Sequence, residues 1–336
     1  MSIDIYGIGN ALVDIEISTT EETLGSLDIE KGIMTLIDAD TQTKYKSHHE
    51  DNIRARACGG SAANTIIGAA QLGANCAYSC RVANDDDGQF YLTDLQTHNV
   101  QTNSKATDSG DTGNCLVMVT PDADRTLCTH LGISQEFGIN DLDLDLLSQS
   151  NLVYIEGYLV SSPSGKEAAI EARKQAQAQK IKTAFTFSDP AMVQFFKDGI
   201  NEIIGDKIDI LFCNKAESEA FTDSTDLDTI KTALSARADM VVITQGPSGA
   251  LIYHDNAWTH IPGNPVEAID SNGAGDCFAG AFLAALSQGL SPEDAGKLAV
   301  FASSQIVTQY GPRLDDDNLE KVKHLLEPTL RQAQGA

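Results

Sequence analysis

Short apolar runs alternate with helix-forming segments along most of this chain, and this alternation restricts its fold more than any other feature. The runs that we interpret as strands are residues 3–8, 152–155, 183–187, 208–213 and 240–244. A strand covered by helices on both faces has such a run, because all of its side chains are buried. We therefore predict an α/β fold of three layers, with helices on both faces of a mainly parallel central sheet.

Local chemistry marks two of the helix starts. Ser164 and Glu167 have the spacing of a capping box, in which the hydroxyl caps the helix and the carboxylate reaches back. Residues 291–294, Ser-Pro-Glu-Asp, combine a capping residue, a proline at the first helical position and acids in the first turn. Both patterns predict helices between the strands.

Two segments, residues 32–38 and 114–131, interrupt the alternation and look like strands without intervening helices. The second contains a turn at residues 121–124, which predicts a hairpin. A small sheet inserted beside a cleft often serves as a lid. We predict one domain over residues 1–336, with a small β-sheet lid formed by about residues 15–40 and 108–131.

The charge excludes some classes of partner. The chain has 23 Lys and Arg against 48 Asp and Glu, a formal net charge of −25. Such a surface repels phosphate backbones and anionic lipids, so we expect no nucleic-acid or membrane partner. It leaves room for one small anion in a local cradle.

The start of the sequence has an early acid and no basic region, so we expect no signal peptide and a cytoplasmic location. The seven cysteines include no Cys-x-x-Cys pair, so neither a disulfide framework nor a zinc site is expected. We interpret the adjacent His48 and His49 as surface residues.

The most informative motif is residues 270–276, which read DSNGAGD and precede a run of small apolar residues typical of a buried helix. Gly273, Ala274 and Gly275 let backbone amides converge at the helix N-terminus, where free N–H groups and the helix dipole favour an anion. Asp276 lies in the first helical turn. It can accept the proton of a hydroxyl group that attacks a phosphoryl group, or it can simply complement the helix dipole.

Other polar groups follow predicted strands. Asn10 and Asp14 come after the first strand, and a carboxylate and an amide there suit two sugar hydroxyls. Gly59 and Gly60 permit close backbone approach, and Asn64 can both donate to and accept from a polyol. A solvated turn and an ordinary helix entry remain the alternatives.

Asn214 and Glu217 share a helical face after the strand at 208–213, so they could orient a hydrated Mg²⁺ beside phosphates. The loop after the next strand supplies a hydroxyl and two glycines for nucleotide phosphates, namely Thr244, Gly246 and Gly249. Arg125 lies in the predicted lid. It could carry positive charge to a transferring phosphate, or it could pair with a neighbouring Asp. Cys277 is interpreted as a packing residue.

Together these motifs resemble those of the ribokinase-like (PfkB) family of sugar and nucleoside kinases, over nearly the whole chain. Within that family the sequence is most similar to the adenosine-kinase branch, on residues 7–15, 154–158, 209–217 and 270–276. The resemblance implies a ribokinase-like fold and an ATP- and Mg²⁺-dependent kinase with Asp276 as general base.

The resemblance also implies roles for the other residues. The Gly273–Gly275 amides would form the anion hole, and Asn214 and Glu217 would serve the Mg²⁺–phosphate region. The sugar or nucleoside would contact Asn10, Asp14, Gly59, Gly60, Asn64 and Tyr158; ATP would contact Asn272, Thr244, Gly246 and Gly249. It leaves open a K⁺ requirement, with Asp270 near any such site, and either a monomer or a homodimer.

Two departures concern the acceptor. The run 61–63, Ser-Ala-Ala, is closer to the general sugar-kinase form, and Leu159 stands near the position of the family's aromatic platform for the nucleobase. The acceptor is therefore the 5′-hydroxyl of adenosine or a free sugar such as ribose, fructose or 2-keto-3-deoxygluconate. A dinucleotide-dependent dehydrogenase is disfavoured, because the third glycine of its fingerprint would fall at Leu12. A non-catalytic binding protein is disfavoured because the base and the glycines are present.

Overall fold

The computed structural model describes residues 2–122 and 124–333. Within them a large sheet has the strand order β13-β12-β11-β10-β9-β8-β1-β5. Its strands are β1 (Ile3–Ile8), β5 (Cys76–Ser79), β8 (Ser150–Ile155), β9 (Lys182–Thr186), β10 (Ile208–Asn214), β11 (Ala238–Thr244), β12 (Gly249–His254) and β13 (Ala257–Pro262). The neighbours from β5 to β11 pair in parallel, whereas β12 and β13 are antiparallel. The strands predicted from apolar runs are all confirmed.

Two hydrophobic cores cover the large sheet, one on each face. Tyr154 and Phe212 point into the core formed with α3, α10, α11 and α12, while Val153 and Leu211 point into the core formed with α5 to α9. These helices are α3 (Ser61–Gln71), α5 (Leu144–Ser148), α6 (Pro163–Ala178), α7 (Pro190–Ile204), α8 (Lys215–Thr222), α9 (Leu227–Ser235), α10 (Ala274–Ser287), α11 (Pro292–Ile306) and α12 (Asp316–Ala333). The three-layer prediction is confirmed. Alternate side chains of each strand point to opposite faces of the sheet, so each face needs its own layer of helices.

A second, small sheet has the order β3-β7-β6-β2-β4. Its strands are β2 (Leu12–Ser18), β3 (Met34–Leu36), β4 (Ile53–Gly59), β6 (Thr112–Val119) and β7 (Arg125–Gly132). Helices α1 (Glu21–Ser26), α2 (Ala39–His48) and α4 (Asp86–Thr97) border it. One face of the small sheet is buried in the hydrophobic core that contains Leu24 and Tyr45. The predicted hairpin is the antiparallel pair of β6 and β7, and Ala123 of its turn lies outside the described residues.

Several local predictions are corrected. Strand β4 was not predicted as part of this sheet, because its residues 53–56 are exposed and form no apolar run. Helix α6 begins after Ser162, whose hydroxyl caps the amide of Gly165, rather than at Ser164. His48 is exposed, but His49 is buried, with Nδ1 at 2.8 Å from the Tyr45 carbonyl oxygen. The predicted start of α11 at Ser291 is confirmed.

The cysteines and the helix lengths complete the description. All seven cysteines are buried free thiols. Over residues 2–122 and 124–333, none of the helices has the length and apolar composition needed to cross a lipid bilayer.

Candidate active site

A cleft of about 500 Å³ lies between the small sheet and the carboxyl ends of the large-sheet strands. The large sheet contributes the residues that follow β1, β8, β9, β10 and β11, and the start of α10 closes one end. The inner face of the small sheet forms the opposite wall. Because the carboxyl ends of parallel strands meet at one edge, residues far apart in sequence converge here.

Asp276 lies in the first turn of α10 and lines this cleft. Its carboxylate accepts hydrogen bonds from the Ser61 hydroxyl at 2.6 Å and from the Asn64 side-chain amide at 3.2 Å, both on α3. Burial raises the pKa of Asp276 to about 6, although these two hydrogen bonds lower it. The carboxyl is therefore oriented, ionised at neutral pH and basic enough to accept a proton.

The side-chain oxygen of Asn64 has no hydrogen-bond partner although it is buried. Buried polar atoms are nearly always satisfied, so an isolated acceptor in a cleft wall indicates a ligand that donates to it. The Asn64 amide nitrogen is held by Asp276, which fixes the direction of the oxygen. A hydroxyl group of a bound polyol fits this position.

The backbone at the start of α10 is shaped by its two glycines. Gly273 has φ +69°, and a Cβ atom there would lie 2.8 Å from Pro312, so a larger residue is excluded. Gly275 lines the cleft, and a Cβ atom there would point into open space and meet nothing within 4 Å. The Ala274 amide donates to the Ser271 carbonyl at 3.3 Å. The other amides of this helix start and its unobstructed approach make it suitable for a phosphoryl group.

Asp14 of β2 faces Gly59 at the end of β4, where a Cβ atom would lie 2.0 Å from the Asp14 carboxylate. Gly60 has φ +92° and approaches the Asn10 carbonyl in the same way. Burial raises the pKa of Asp14 to about 7; Arg313 opposes the shift and Asp276 adds to it. Both glycines are thus required by the close approach of backbone to the groups predicted to bind a sugar.

Glu156, immediately after β8, is a site residue that was not predicted. It is 1% exposed and accepts hydrogen bonds from the Ala62 amide at 2.9 Å and the Asn10 side chain at 3.3 Å. Burial raises its pKa to about 8, against these hydrogen bonds. It joins the β1–β2 connection to the start of α3. Its place within residues 154–158, two positions before Tyr158, was the available signal, but its partners are remote in sequence.

Asn214 and Glu217 form the capping box of α8. Glu217 accepts from the Asn214 backbone at 2.9 Å and from its side chain at 2.7 Å, and Asn214 accepts from the Glu217 amide at 2.8 Å. Burial raises the pKa of Glu217 to about 7. No group of three or more potential metal ligands occurs in the part of the chain that the structure describes. This donor set fits a hydrated Mg²⁺ carried by phosphates rather than an ion enclosed by protein ligands.

The remaining predicted residues divide into two groups. Thr244, Asn272 and Tyr158 line the cleft. Gly246 is exposed, and Gly249, with φ +93°, packs against the Ile261 carbonyl, so both shape the β11–β12 turn beside Thr244 without lining the cleft. Leu159 is 1% exposed in the core and does not line the cleft. Cys277 is buried, which raises its pKa to about 12 and supports its interpretation as a packing residue.

Arg125, the first residue of β7, forms an ion pair with Asp270, the first residue of the 270–276 motif. The inner face of the small sheet beyond it is mostly apolar, with Asp14 of β2 and Thr129 of β7 as its polar lining residues. Its cleft-lining side chains include Leu12, Met34, Leu36, Cys115, Val117, Leu127 and Leu131. This end of the cleft therefore combines polar groups, namely Asn10, Asn64 and Asp14 of the small sheet itself, with a mostly apolar cover.

The oriented Asp276 carboxylate and the glycine-lined start of α10 share one cleft, an arrangement that suits a phosphotransferase acting on an alcohol group. The chain belongs to the pfkB family of carbohydrate kinases, whose model matches residues 31–319. The family resemblance and the ribokinase-like architecture are thereby confirmed.

Individual relatives include nucleoside and sugar kinases. Adenosine kinase of Saccharomyces cerevisiae is 26% identical over 345 residues, which cover 96% of this chain and 100% of the yeast protein. A 5-dehydro-2-deoxygluconokinase of Clostridium perfringens is 25% identical over 282 residues, 80% of this chain and 83% of the relative.

Solved structures divide in the same way. A probable sugar kinase from Rhizobium etli aligns with a TM-score of 0.90 at 30% identity, and adenosine kinase from Sinorhizobium meliloti with 0.89 at 31% identity. Each alignment covers 96% of this chain and 99% of the other. The comparisons show the family and the reaction class but not which alcohol is the phosphoryl acceptor.

Proposed function

We propose that this protein transfers the γ-phosphoryl group of ATP to the 5′-hydroxyl of adenosine, giving AMP and ADP. The observation that carries the proposal is the arrangement around Asp276, with the carboxylate fixed by Ser61 and Asn64 and an unpartnered acceptor beside it. A polyol bound to Asn64 would bring a primary hydroxyl to the base. The resemblance to adenosine kinases supports the choice of nucleoside.

In this mechanism Asp276 accepts the proton of the attacking hydroxyl as the new oxygen–phosphorus bond forms and the bond to ADP breaks. The amides of residues 273–275 and the Arg125 guanidinium stabilise the charge on the transferring group. Asn214 and Glu217 would hold the water ligands of a Mg²⁺ ion, which would supply charge neutralisation on the ATP phosphates. After transfer the proton leaves Asp276 for solvent, and the carboxylate is restored.

The apolar cover supports a nucleoside over a free sugar. A free sugar presents hydroxyl groups on most of its surface, and these would lose hydration against Val117, Leu127 and Met34 without gaining partners. A purine presents a flat, largely apolar face to the same side chains. The small sheet then serves as the lid over the acceptor, with β4 included beside the segments predicted from the sequence.

The second candidate is a kinase for a free sugar. It is favoured by the Ser-Ala-Ala run at residues 61–63 and by the position of Leu159, which leaves Tyr158 as the nearby aromatic residue that lines the cleft. The two candidates differ only in the group that faces the small sheet.

One assay separates them. ADP formation is measured with Mg²⁺-ATP and each of adenosine, inosine, ribose, fructose and 2-keto-3-deoxygluconate. We expect kcat/KM for adenosine to exceed that for every free sugar by at least about 100-fold, the order of discrimination that an apolar pocket reaches against an added hydroxyl group. Turnover of a free sugar without turnover of nucleosides would replace the first candidate by the second.

A further inference from the structure

The ion pair between Arg125 and Asp270 joins the small sheet to the α/β body across the cleft. Both side chains are almost inaccessible, with 10% of Arg125 and 1% of Asp270 exposed. The two residues are 145 positions apart in sequence. A buried pair of this kind matters because removing one partner leaves the other charge buried and unpaired.

Asp270 belongs firmly to the body. Its Oδ1 accepts from the Asn272 amide at 2.9 Å, and its Oδ2 accepts from the Gly311 amide at 2.9 Å. These two backbone groups fix the carboxylate whether or not the arginine is present. The Asp270 carboxylate is therefore held in a fixed position at the start of the 270–276 motif.

Arg125 uses only part of its donor set in this pair. Its Nη2 donates to Asp270, whereas its Nε is buried without a partner, and the side chain lines the cleft. A guanidinium presents five N–H donors in a rigid fork, so fixing one edge directs the others. The edge held by Asp270 thus determines where the free donors of Arg125 point.

We propose that Asp270 is the positioning residue for Arg125. By holding one edge of the guanidinium, it keeps the small sheet closed against the α/β body and directs the remaining donors toward the transferring phosphoryl group. The first consequence concerns closure and is independent of the reaction. The second rests on the proposed function, because it requires a phosphoryl group in the cleft.

The chain offers a matched control for closure. Arg56 of β4 pairs with Asp87 of α4, a helix that borders the small sheet, so this pair also holds an arginine of that sheet but does not cross the cleft. Its side chains are 39% and 18% exposed, and exposed pairs contribute little to stability. Asp87→Asn makes the same chemical change as Asp270→Asn at the edge of the molecule, away from the cleft-lining residues.

The closure test is hydrogen exchange of β6 and β7 amides in the ligand-free protein. Asp270→Asn and Arg125→Gln are each expected to accelerate exchange there by about tenfold or more, because the orphaned charge favours the open form in which it meets water. Asp87→Asn is expected to change exchange less than about twofold. Unchanged protection in both cleft variants, or equal loss in Asp87→Asn, would overturn the proposal. If Asp270→Asn fails to fold by circular dichroism, Arg125→Gln decides the question.

The positioning test is a double-mutant cycle in kcat, run with whichever acceptor the protein phosphorylates. Asp270→Asn and Arg125→Gln are each expected to lower kcat by at least about tenfold, and the double variant should be no slower than Arg125→Gln alone. Losses that multiply would mean that Asp270 acts only through its own loop, which contradicts the proposal. Hydrogen exchange is measured without substrate, so its result on closure remains valid even if the proposed function is wrong.

Discussion

The Ser61 hydroxyl donates a hydrogen bond of 2.6 Å to the Asp276 carboxylate across 215 residues of sequence. The contact joins the first turn of α3 to the first turn of α10, so two helix starts converge on one carboxyl group. The same carboxylate also accepts from Asn64. The orientation of the proposed base is therefore set by a helix far from it in sequence.

Asp276→Asn should lower kcat by at least about 100-fold while raising stability. The loss of rate follows from the loss of the proton acceptor. The gain in stability follows because burial raises the pKa of Asp276 from 3.8 to about 6, so its ionised form is disfavoured in the folded state by up to about 3 kcal/mol. Steady-state kinetics and thermal unfolding at pH 7.5 measure both effects.

The control for that variant is Asp294→Asn. Asp294 also lies in a first helical turn and also pairs with a serine, Ser291, but it lies on α11 outside the cleft. It should leave kcat unchanged and give no gain in stability. Near-wild-type turnover by Asp276→Asn would contradict its role as the base.

The pH dependence follows from the same carboxyl group. Because a base must be ionised, kcat/KM should fall as pH decreases through about 6, the raised pKa of Asp276 in the free protein. The free energy of unfolding should change in the opposite direction and rise as pH falls below about 6. The ionised form of Asp276, which burial disfavours, is populated above about pH 6, and protonation below that pH removes the penalty. Rate profiles from pH 5 to 9 test this, and an unaltered acid limb in the residual activity of Asp276→Asn would assign the limb to another group.

Gly275→Ala should separate stability from activity. The backbone of Gly275 is helical, and a Cβ atom there meets no protein atom within 4 Å, so alanine should stabilise α10 by up to about 1 kcal/mol. The methyl group would project into the path of the phosphoryl group and should lower kcat by about tenfold or more. Gly68→Ala in α3, where a Cβ atom also meets nothing, should raise stability without this loss. Equal kinetics for the two variants would remove Gly273–Gly275 as an anion site.

Glu156→Gln should raise KM for the acceptor. The side-chain NH₂ group of glutamine would lie against an existing N–H donor. One buried donor is then left without a hydrogen-bond acceptor, which costs about 1–3 kcal/mol of free energy. The displaced groups are Asn10, which lines the cleft, and the Ala62 amide, which lies in the first turn of α3 between the cleft-lining residues Ser61 and Asn64. We expect KM to rise by about tenfold or more in initial-rate measurements.

Asp209→Asn is the matched control for Glu156. Asp209 accepts two hydrogen bonds of 2.7 Å from Thr183 near the amino end of β10, the opposite edge of the sheet. It should lower stability without changing KM. A normal KM in Glu156→Gln would show that its hydrogen bonds serve stability alone.

Mg²⁺ removal should weaken ATP binding itself. The cleft is lined by five carboxyl groups, those of Asp14, Glu156, Asp189, Glu217 and Asp276, and by the Arg125 guanidinium. Uncompensated phosphate charge would be repelled there, so calorimetry should give a Kd for ATP at least about tenfold higher in EDTA than with Mg²⁺. Equal affinities would contradict a Mg²⁺-carrying nucleotide. Parallel titrations with and without K⁺ test the monovalent-cation dependence that the resemblance leaves open.

The sequence by itself determined the α/β architecture and much of the site. Buried parallel strands appear as short apolar runs, so β1 and β8 to β11 could be recognised locally. The glycine motif before α10 could be read because a helix start, its free amides and Asp276 all lie within a few residues. The parts that follow strand ends, such as Asn10 and Thr244, could be placed because parallel strands end at a common edge.

Only the tertiary structure decided which groups meet across these elements. Glu156 could not be assigned from the sequence, since its partners Asn10 and Ala62 come from other segments and its burial depends on all of them. The choice of Asp270 as the partner of Arg125 likewise depends on how the small sheet packs against the body. Local patterns specify elements and their ends, because they depend on neighbouring residues. Burial, hydrogen-bond partners and shifted pKa values depend on chain segments that only packing brings together.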